Sequence, residues 1–173
     1  MEHYYKNITG WCDFEEIYKE AVENFDGGLF VEAGTANGQS TAFLCVEIAN
    51  SKKDIQLITC DIFEAANQEQ YVRSHLDKFP FLSINKQQSM DLFRALKKKG
   101  ERPNFIFLDG DHSLSGVSNE LKIAWDILAK GGILAGHDYL NNGSPDVKKA
   151  VDIFCKNNKL KLEIKGSSFI LRK

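Results

Sequence analysis

Short apolar segments alternate with longer amphipathic segments along most of the chain. The run Phe105–Leu108 is continuously apolar, which is typical of a central parallel strand that is buried on both faces. In Asp13–Phe25 the apolar side chains recur at helical spacing, and Gly27 and Gly28 follow as a signal that ends a helix. This alternation predicts a parallel sheet with helices packed on both of its faces.

The predicted elements continue to the end of the chain. Two late strands, Lys161–Ile164 and Phe169–Leu171, are separated by a Gly-Ser-Ser turn and predict an antiparallel hairpin. The other predicted strands are Leu29–Ala33, Ile55–Cys60, Phe81–Ile84, Phe105–Leu108 and Ile133–Ala135. The predicted helices are Asp13–Phe25, Gly38–Asn50, Glu64–Phe79, Met90–Lys99, Ser115–Ala129 and Pro145–Asn157.

Composition narrows the class of protein. The 173 residues fit one domain, and 43% hydrophobic with 27% charged residues is typical of a soluble globular protein. The net charge of -2 disfavours nucleic acid as a partner. There is no apolar run of a signal peptide and no stretch near the roughly 20 apolar residues of a membrane span. The four cysteines have no metal-binding spacing, so we expect a cytoplasmic protein with inert thiols and no membrane contact.

A glycine turn follows the first predicted strand. Gly34 and Gly38 stand where a strand must turn into a helix and where a ligand can approach the backbone. Asp61 ends the next strand, 23 residues after Gly38, and the usual offset of an acid that accepts hydrogen bonds from ribose hydroxyls is roughly 20. The pair predicts a cofactor that carries a nucleoside, although turn glycines and a strand-end cap would leave the same pattern.

The details of this turn favour a cofactor without phosphates. Its G-x-x-x-G spacing lacks the third glycine of the pyrophosphate-binding G-x-G-x-x-G motif, and no phosphate loop follows. The carboxylate of Glu32 would repel phosphates but attract a sulfonium or amino group. S-adenosylmethionine is therefore favoured over NAD, and an NAD-dependent oxidoreductase is a disfavoured alternative.

A second group of polar residues follows two central strands. Asp109, Asp111 and His112 come after one strand, and His137 and Asp138 come after the other. Because ligands bind beyond the carboxyl ends of parallel strands, we expect these side chains to face the same cleft as the glycine turn. Carboxylates and imidazoles can hold Mg²⁺ or Mn²⁺, whereas local hydrogen bonds in a solvated loop are the alternative.

This group also offers catalytic chemistry. A divalent cation there would polarise an acceptor hydroxyl, and Asp111 or His112 could take its proton. Tyr139 is the candidate for contact with the acceptor substrate, since Trp125 falls within the apolar series of a predicted helix.

Several sequence blocks resemble class I S-adenosylmethionine-dependent methyltransferases, and among them methyltransferase family 24, which includes relatives of macrocin and sugar O-methyltransferases. The resemblance spans nearly the whole chain, with two departures. Relatives often have Asp in place of Gln88, and many metal-binding relatives have Asp or Glu in place of His137. The blocks are Gly10-Trp11, Val31–Gly34, Gly38–Thr41, Phe107–His112 and Gly131–Tyr139.

The resemblance implies an α/β fold: a Rossmann-like three-layer sandwich with a seven-stranded, mostly parallel sheet and an antiparallel last strand. One domain would span residues 1–173, with an N-terminal helical segment at 1–27 and a cofactor-binding core at 28–173. Glu32 and Gly34 would lie near the methionine moiety, Asp61 at the ribose and Ser89 near the adenine. The predicted cofactor-binding residues are Glu32, Gly34, Thr35, Gly38, Ser40, Asp61, Ser89 and Asp109.

The resemblance also assigns the second group. Asp109, His137 and Asp138 would bind the metal, and Asp111 is a candidate base, together with His112. The function that follows is O-methylation of a small molecule or sugar, with a non-catalytic partner protein of the same fold as the alternative. We expect acceptor recognition to involve residues 3–11 or a neighbouring subunit of a homo-oligomer.

Overall fold

The computed structural model describes all residues, Met1–Lys173. Each predicted element is present, with bounds that differ by a few residues. The strands are β1 (Gly27–Ala33), β2 (Asp54–Asp61), β3 (Leu82–Lys86), β4 (Phe105–Leu108), β5 (Ile133–Gly136), β6 (Glu163–Lys165) and β7 (Ser168–Arg172). The helices are α1 (Glu15–Asn24), α2 (Gln39–Ser51), α3 (Gln68–Leu76), α4 (Ser89–Lys99), α5 (Leu114–Ile127) and α6 (Pro145–Asn158).

The largest difference concerns the third helix, which is predicted to begin at Glu64 but begins at Gln68. Asn67 has a φ of 64°, in the left-handed region, and Phe63 has a φ of 48°. A right-handed helix cannot pass through such residues. The polar segment before Gln68 is therefore a loop.

The seven strands form one sheet in the order β3-β2-β1-β4-β5-β7-β6. The first five are parallel, whereas β7 is antiparallel to both β5 and β6. The predicted seven-stranded sheet with an antiparallel last strand is thus confirmed. The order of the chain reverses at β1, between β2 and β4, and in open α/β sheets ligands bind at such a reversal, beyond the carboxyl ends of the strands.

Two hydrophobic cores lie on opposite faces of the sheet. Side chains of β4 alternate between them: Phe105 and Phe107 pack with α1, α2 and α3, and Ile106 and Leu108 pack with α4, α5 and α6. This alternation follows from the two-residue period of a strand. The three-layer arrangement is confirmed, and none of the helices has both the length and the apolar composition that a lipid bilayer would require.

A buried carboxylate joins four elements at the centre of the first core. Glu32 of β1 is 1% exposed and accepts hydrogen bonds from the hydroxyls of Tyr18 (2.7 Å), Ser40 (2.8 Å), Thr41 and Thr59 (2.9 Å). Burial raises the pKa of Glu32, and the four hydroxyl donors counteract that effect. The network ties α1, α2 and β2 to the strand that leads into the glycine turn.

We expect Tyr18→Phe to destabilise the protein by about 1–3 kcal/mol, because a buried acceptor loses one of its donors while the packing of the ring is retained. Urea unfolding measures this change. Tyr71→Phe is the control, since Tyr71 is exposed and its hydroxyl makes no hydrogen bond within the protein. Equal free energies of unfolding for the two variants would contradict the structural role of this network.

Candidate active site

A cavity of about 600 Å³ opens at the carboxyl ends of β1, β2, β3 and β4. The loops that follow these strands form most of its wall, and α5 contributes one residue. The lining residues are Gly34, Ala36, Cys60, Asp61, Ile62, Glu64, Gln68, Gln87, Gln88, Ser89, Met90, Asp109, Gly110, Asp111, His112 and Glu120.

The charged side chains of this lining are predominantly acidic. It contains the carboxyl groups of Asp61, Glu64, Asp109, Asp111 and Glu120, and it contains no lysine or arginine. His112 is the one basic side chain. Such a wall favours a ligand that brings positive charge and hydrogen-bond donors, and it disfavours phosphate groups.

The two glycines of the turn are required by the packing of the chain itself. Gly34 has a φ of 102°, and a Cβ atom there would lie 2.0 Å from the backbone oxygen of Asp109. Gly38 has a φ of 85°, and a Cβ atom there would lie 3.1 Å from Leu76 Cδ1. Only Gly34 lines the cavity. The sequence interpretation assigned the glycines both to the turn itself and to ligand access. The structure shows that a neighbouring loop and α3 need the space, and contact of either glycine with a cofactor stays a prediction.

Three predicted cofactor-binding residues lie beneath the turn and do not line the cavity. Glu32 and Ser40 belong to the buried network, and the hydroxyl of Thr35 lies 2.6 Å from that of Thr59. All three are less than 10% exposed. Their side chains hold the loop in place, and direct contact with a cofactor stays a prediction for them.

Asp61 lies in the cavity wall as predicted for an acid beside the ribose. Its Oδ2 accepts a hydrogen bond from the backbone N–H of Ala36 (2.8 Å), and its Oδ1 accepts one from Phe63 (2.8 Å). A carboxylate has about four acceptor sites, so lone pairs remain for hydroxyls of a ligand. Asp61 therefore fixes two loops and still presents acceptors to the cavity.

Ser89 reaches the cavity at the start of α4, where its hydroxyl donates to Glu120 of α5. Sequence reasoning did not single out Glu120, which is 1% exposed. Burial raises its pKa to about 7. A signal was present, because Glu120 lies on the apolar face that Val117, Leu121 and Ala124 form.

The predicted metal ligands come together at the ends of β4 and β5. Asp109, His137 and Asp138 each offer one ligand atom, and these atoms all lie within 4.8 Å of one another. His137 Nδ1 is 3.2 Å from Asp138 Oδ1 and 3.8 Å from Asp109 Oδ1. Asp138 has a φ of 62°, a left-handed conformation that aspartate tolerates better than most residues.

The surroundings of the second ring nitrogen of His137 are also typical of a metal-binding histidine. Nε2 is buried and lies 2.9 Å from Asp13 Oδ1, although the geometry is not that of a hydrogen bond. Histidines that bind metals commonly have a carboxylate at the second ring nitrogen. One nitrogen and two carboxylates fit Mn²⁺ or a similar divalent cation. Asp13 precedes α1 and was not singled out in the sequence.

The two candidate bases lie on the cavity side of these ligands. His112 Nε2 is 2.8 Å from Asp138 Oδ2 and 3.8 Å from Asp109 Oδ1. The carboxylates of Asp109 and Asp138 raise the pKa of His112, which is about half exposed. Asp111 is exposed, and its Oδ1 accepts a hydrogen bond from the backbone N–H of Ser113 (2.8 Å). Both side chains line the cavity.

Tyr139 does not reach the cavity, contrary to the expectation that it contacts the acceptor. Its ring is 4% exposed and packs in the core on the α6 side of the sheet. Its hydroxyl donates to Asp152 Oδ1 (2.7 Å) and accepts from Lys148 Nζ (3.1 Å), both of α6. The tyrosine anchors α6 because the turn at Asp138 directs it away from the loop of β4.

The family model for a methyltransferase domain matches residues 31–139, which include both the glycine turn and the cluster of metal-ligand candidates. This match covers more than half of the chain. The chain belongs to this family, the class I S-adenosylmethionine-dependent methyltransferases. Because the chain belongs to a methyltransferase family, the alternative of an NAD-dependent oxidoreductase is not retained.

Among the relatives of this methyltransferase chain is an uncharacterized protein of Acanthamoeba polyphaga mimivirus, 30% identical over 134 residues, which cover 73% of the chain and 59% of the relative. A rhamnosyl O-methyltransferase of Mycobacterium tuberculosis (strain ATCC 25618 / H37Rv) is 24% identical over 143 residues, covering 82% and 58%. The chain thus spans less than two thirds of the length of these curated relatives.

Solved methyltransferase structures share the fold. The apo TDP-rhamnose 3′-O-methyltransferase of calicheamicin biosynthesis has a TM-score of 0.75 at 14% identity, with 91% of this chain and 76% of that chain covered. The O-methyltransferase from Bacillus cereus in complex with S-adenosylhomocysteine has a TM-score of 0.74 at 13% identity, with 97% and 86% covered.

The buried Glu120 makes a pH-dependent contribution to stability. Because its folded pKa of about 7 exceeds the ordinary 4.5, this contribution is present below pH 4.5 and is lost as the pH rises toward 7. We expect the free energy of unfolding of the wild type to fall from pH 5 to pH 8 by on the order of 2–3 kcal/mol more than that of Glu120→Gln. Urea unfolding at both pH values measures this, and parallel pH profiles would contradict it.

Proposed function

We propose that this chain transfers the methyl group of S-adenosylmethionine to a hydroxyl oxygen of a small-molecule acceptor, and that the acceptor is a sugar. The observation that carries the proposal is the cavity at the reversal of the sheet, whose wall has five carboxyl groups and no lysine or arginine. S-adenosylmethionine brings a sulfonium cation, an amino group, one carboxylate and two ribose hydroxyls, and it has no phosphate. Its cationic groups and its hydroxyl donors are complementary to this wall.

Each part of the cofactor has a counterpart in the lining. We assign the ribose hydroxyls to Asp61, which retains free acceptor sites beside the backbone of Ala36. The adenine is assigned to the side of Ser89, and the sulfonium end to the side of Gly34 and Asp109. In this arrangement the methyl group would face the ends of β4 and β5, where the candidate bases lie.

The relatives support a sugar acceptor. A curated relative is a rhamnosyl O-methyltransferase, and one solved structure of the same fold is a TDP-rhamnose 3′-O-methyltransferase. A sugar hydroxyl ordinarily keeps its proton at neutral pH, so its attack on the methyl group needs a group that removes this proton. His112 and Asp111 stand at the edge of the cavity and are suited to this role.

The proposed reaction forms the bond between the acceptor oxygen and the methyl carbon while the bond from that carbon to sulfur breaks. The sulfur leaves as the neutral thioether, and the proton of the hydroxyl passes to Asp111 or to His112 Nδ1, the ring nitrogen that does not face Asp138. Asp109, His137 and Asp138 would hold a divalent cation, which supplies Lewis-acid polarisation of the acceptor oxygen. Positioning of the acceptor in line with the methyl group provides the rest of the acceleration.

We expect calorimetry to detect binding of S-adenosylhomocysteine to the wild type and at least about tenfold weaker binding to Asp61→Asn, because the amide cannot accept from both ribose hydroxyls while it is held by Ala36 and Phe63. Asp126→Asn, an exposed position outside the cavity, is the control. NAD should not bind. Equal affinity of Asp61→Asn and the wild type would contradict the assignment, and binding without methyl transfer to any sugar acceptor would favour the non-catalytic partner protein.

For the metal, we expect the wild type to bind one Mn²⁺ per chain and Asp138→Asn to bind it at least about tenfold more weakly, because a ligand is lost. Electron paramagnetic resonance of free Mn²⁺ measures both affinities. Asp111→Asn is the control, as Asp111 is not among the three clustered ligands. Full methyl transfer in a chelator would show that the acids act without a cation.

A further inference from the structure

Glu120 occupies an unusual place for a carboxyl group. It lies on the apolar face of α5, between Val117 and Leu121, and is 1% exposed. A buried carboxylate is costly unless hydrogen bonds satisfy it. Glu120 is also part of the cavity wall, so a bound ligand can supply such a bond.

The protein satisfies only one of the two carboxylate oxygens. Oε1 accepts the hydrogen bond from Ser89, whereas Oε2 has no donor within the protein, and no lysine, arginine or histidine forms an ion pair with Glu120. Ser89 thus fixes the orientation of the carboxylate and leaves one acceptor for the cavity. The side chains before Ser89 are the amides Gln87 and Gln88, which makes Glu120 the carboxylate on this part of the wall.

The position of Glu120 Oε2 relative to Asp61 indicates which part of a bound cofactor Glu120 contacts. The loop that leads into Ser89 lies directly beside Asp61, because the backbone N–H of Gln87 donates to the carbonyl of Asp61 (3.0 Å). Ile62 and Met90, which follow Asp61 and Ser89, are apolar members of the lining. If Asp61 binds the ribose, a flat base attached to it therefore meets apolar side chains and the Ser89–Glu120 pair.

We propose that Glu120 Oε2 accepts a hydrogen bond from the exocyclic amino group of the cofactor's adenine, and that the Ser89–Glu120 pair thereby selects a 6-aminopurine over a 6-oxopurine. The inference rests on the proposed binding of S-adenosylmethionine in this cavity. The amino group is the donor on the edge of adenine, and a 6-oxopurine has a carbonyl oxygen at that position. Above the pKa of Glu120, where its carboxyl group is ionised, that oxygen would face the carboxylate without a shared proton, so both acceptors would lose their solvation.

The test is calorimetric binding, at a pH above the pKa of Glu120, of S-adenosylhomocysteine and S-inosylhomocysteine. The first has an amino group at C6 of its base, and the second has an oxo group there and a proton on N1. The wild type is expected to prefer the adenosyl compound at least about tenfold. Glu120→Gln is expected to reduce this preference at least about fivefold, because its amide can donate to the 6-oxo group. Glu101→Gln is the matched control, since Glu101 is exposed and lies outside the cavity, and it should keep the wild-type ratio.

Ser89→Ala provides a second measurement of this affinity ratio, which does not depend on the folding of Glu120→Gln. Without the orienting hydroxyl, the preference is expected to fall several-fold. An unchanged ratio in Glu120→Gln, or in Ser89→Ala if the first variant does not fold, overturns the inference while leaving the proposed function intact. Absence of S-adenosylhomocysteine binding to the wild type overturns the proposed function itself.

Discussion

The burial of one carboxylate, Glu32, constrains the rest of the site. Its hydrogen bonds reach Tyr18 on α1, Ser40 on α2 and Thr59 on β2, so three elements are held against the centre of β1. An uncompensated carboxylate would be expensive in that core, and each hydroxyl is therefore fixed in place. The glycine turn begins two residues later, so the hydrogen bonds of Glu32 hold the start of the turn in place. The turn itself forms part of the cavity wall at Gly34.

Above the network, the wall of the cavity is acidic for a different reason. Asp61, Asp109 and Asp111 follow strands whose carboxyl ends meet at one edge of the sheet, so parallel topology concentrates them. No cationic side chain other than His112 offsets them. The wall is therefore open to a cationic, phosphate-free cofactor, and Asp109, which follows β4, is also one of the candidate metal ligands.

Much of this arrangement was accessible from the sequence. Strand β4 was predicted with its observed bounds because four consecutive apolar residues need burial on both faces. The grouping of Asp109, His137 and Asp138 was predicted because strand ends converge. The helix expected from Glu64 was wrong at its start, since nothing in the sequence pattern reveals that Asn67 adopts a left-handed conformation.

Side-chain direction was harder to predict than position in the chain. Glu32 was expected near a sulfonium or amino group, and that contact stays a prediction. Strand alternation turns its side chain toward α1 and α2, whereas Val31 and Ala33 face the other side of the sheet. Tyr139 was predicted to contact the acceptor as an aromatic residue outside the predicted helical stripe, but the backbone at Asp138 directs it toward α6. Glu120 was not predicted as a site residue, because an acidic residue within the apolar face of a helix only interrupts the hydrophobic pattern and does not show which side chain it contacts.

A crystal structure of the protein with S-adenosylhomocysteine tests the central claim most directly. The account predicts an adenosyl group inside the cavity, with both ribose hydroxyls within hydrogen-bond distance of Asp61 and the sulfur nearest Gly34 and Asp109. Ligand density outside this cavity, or a ribose turned away from Asp61, would contradict it.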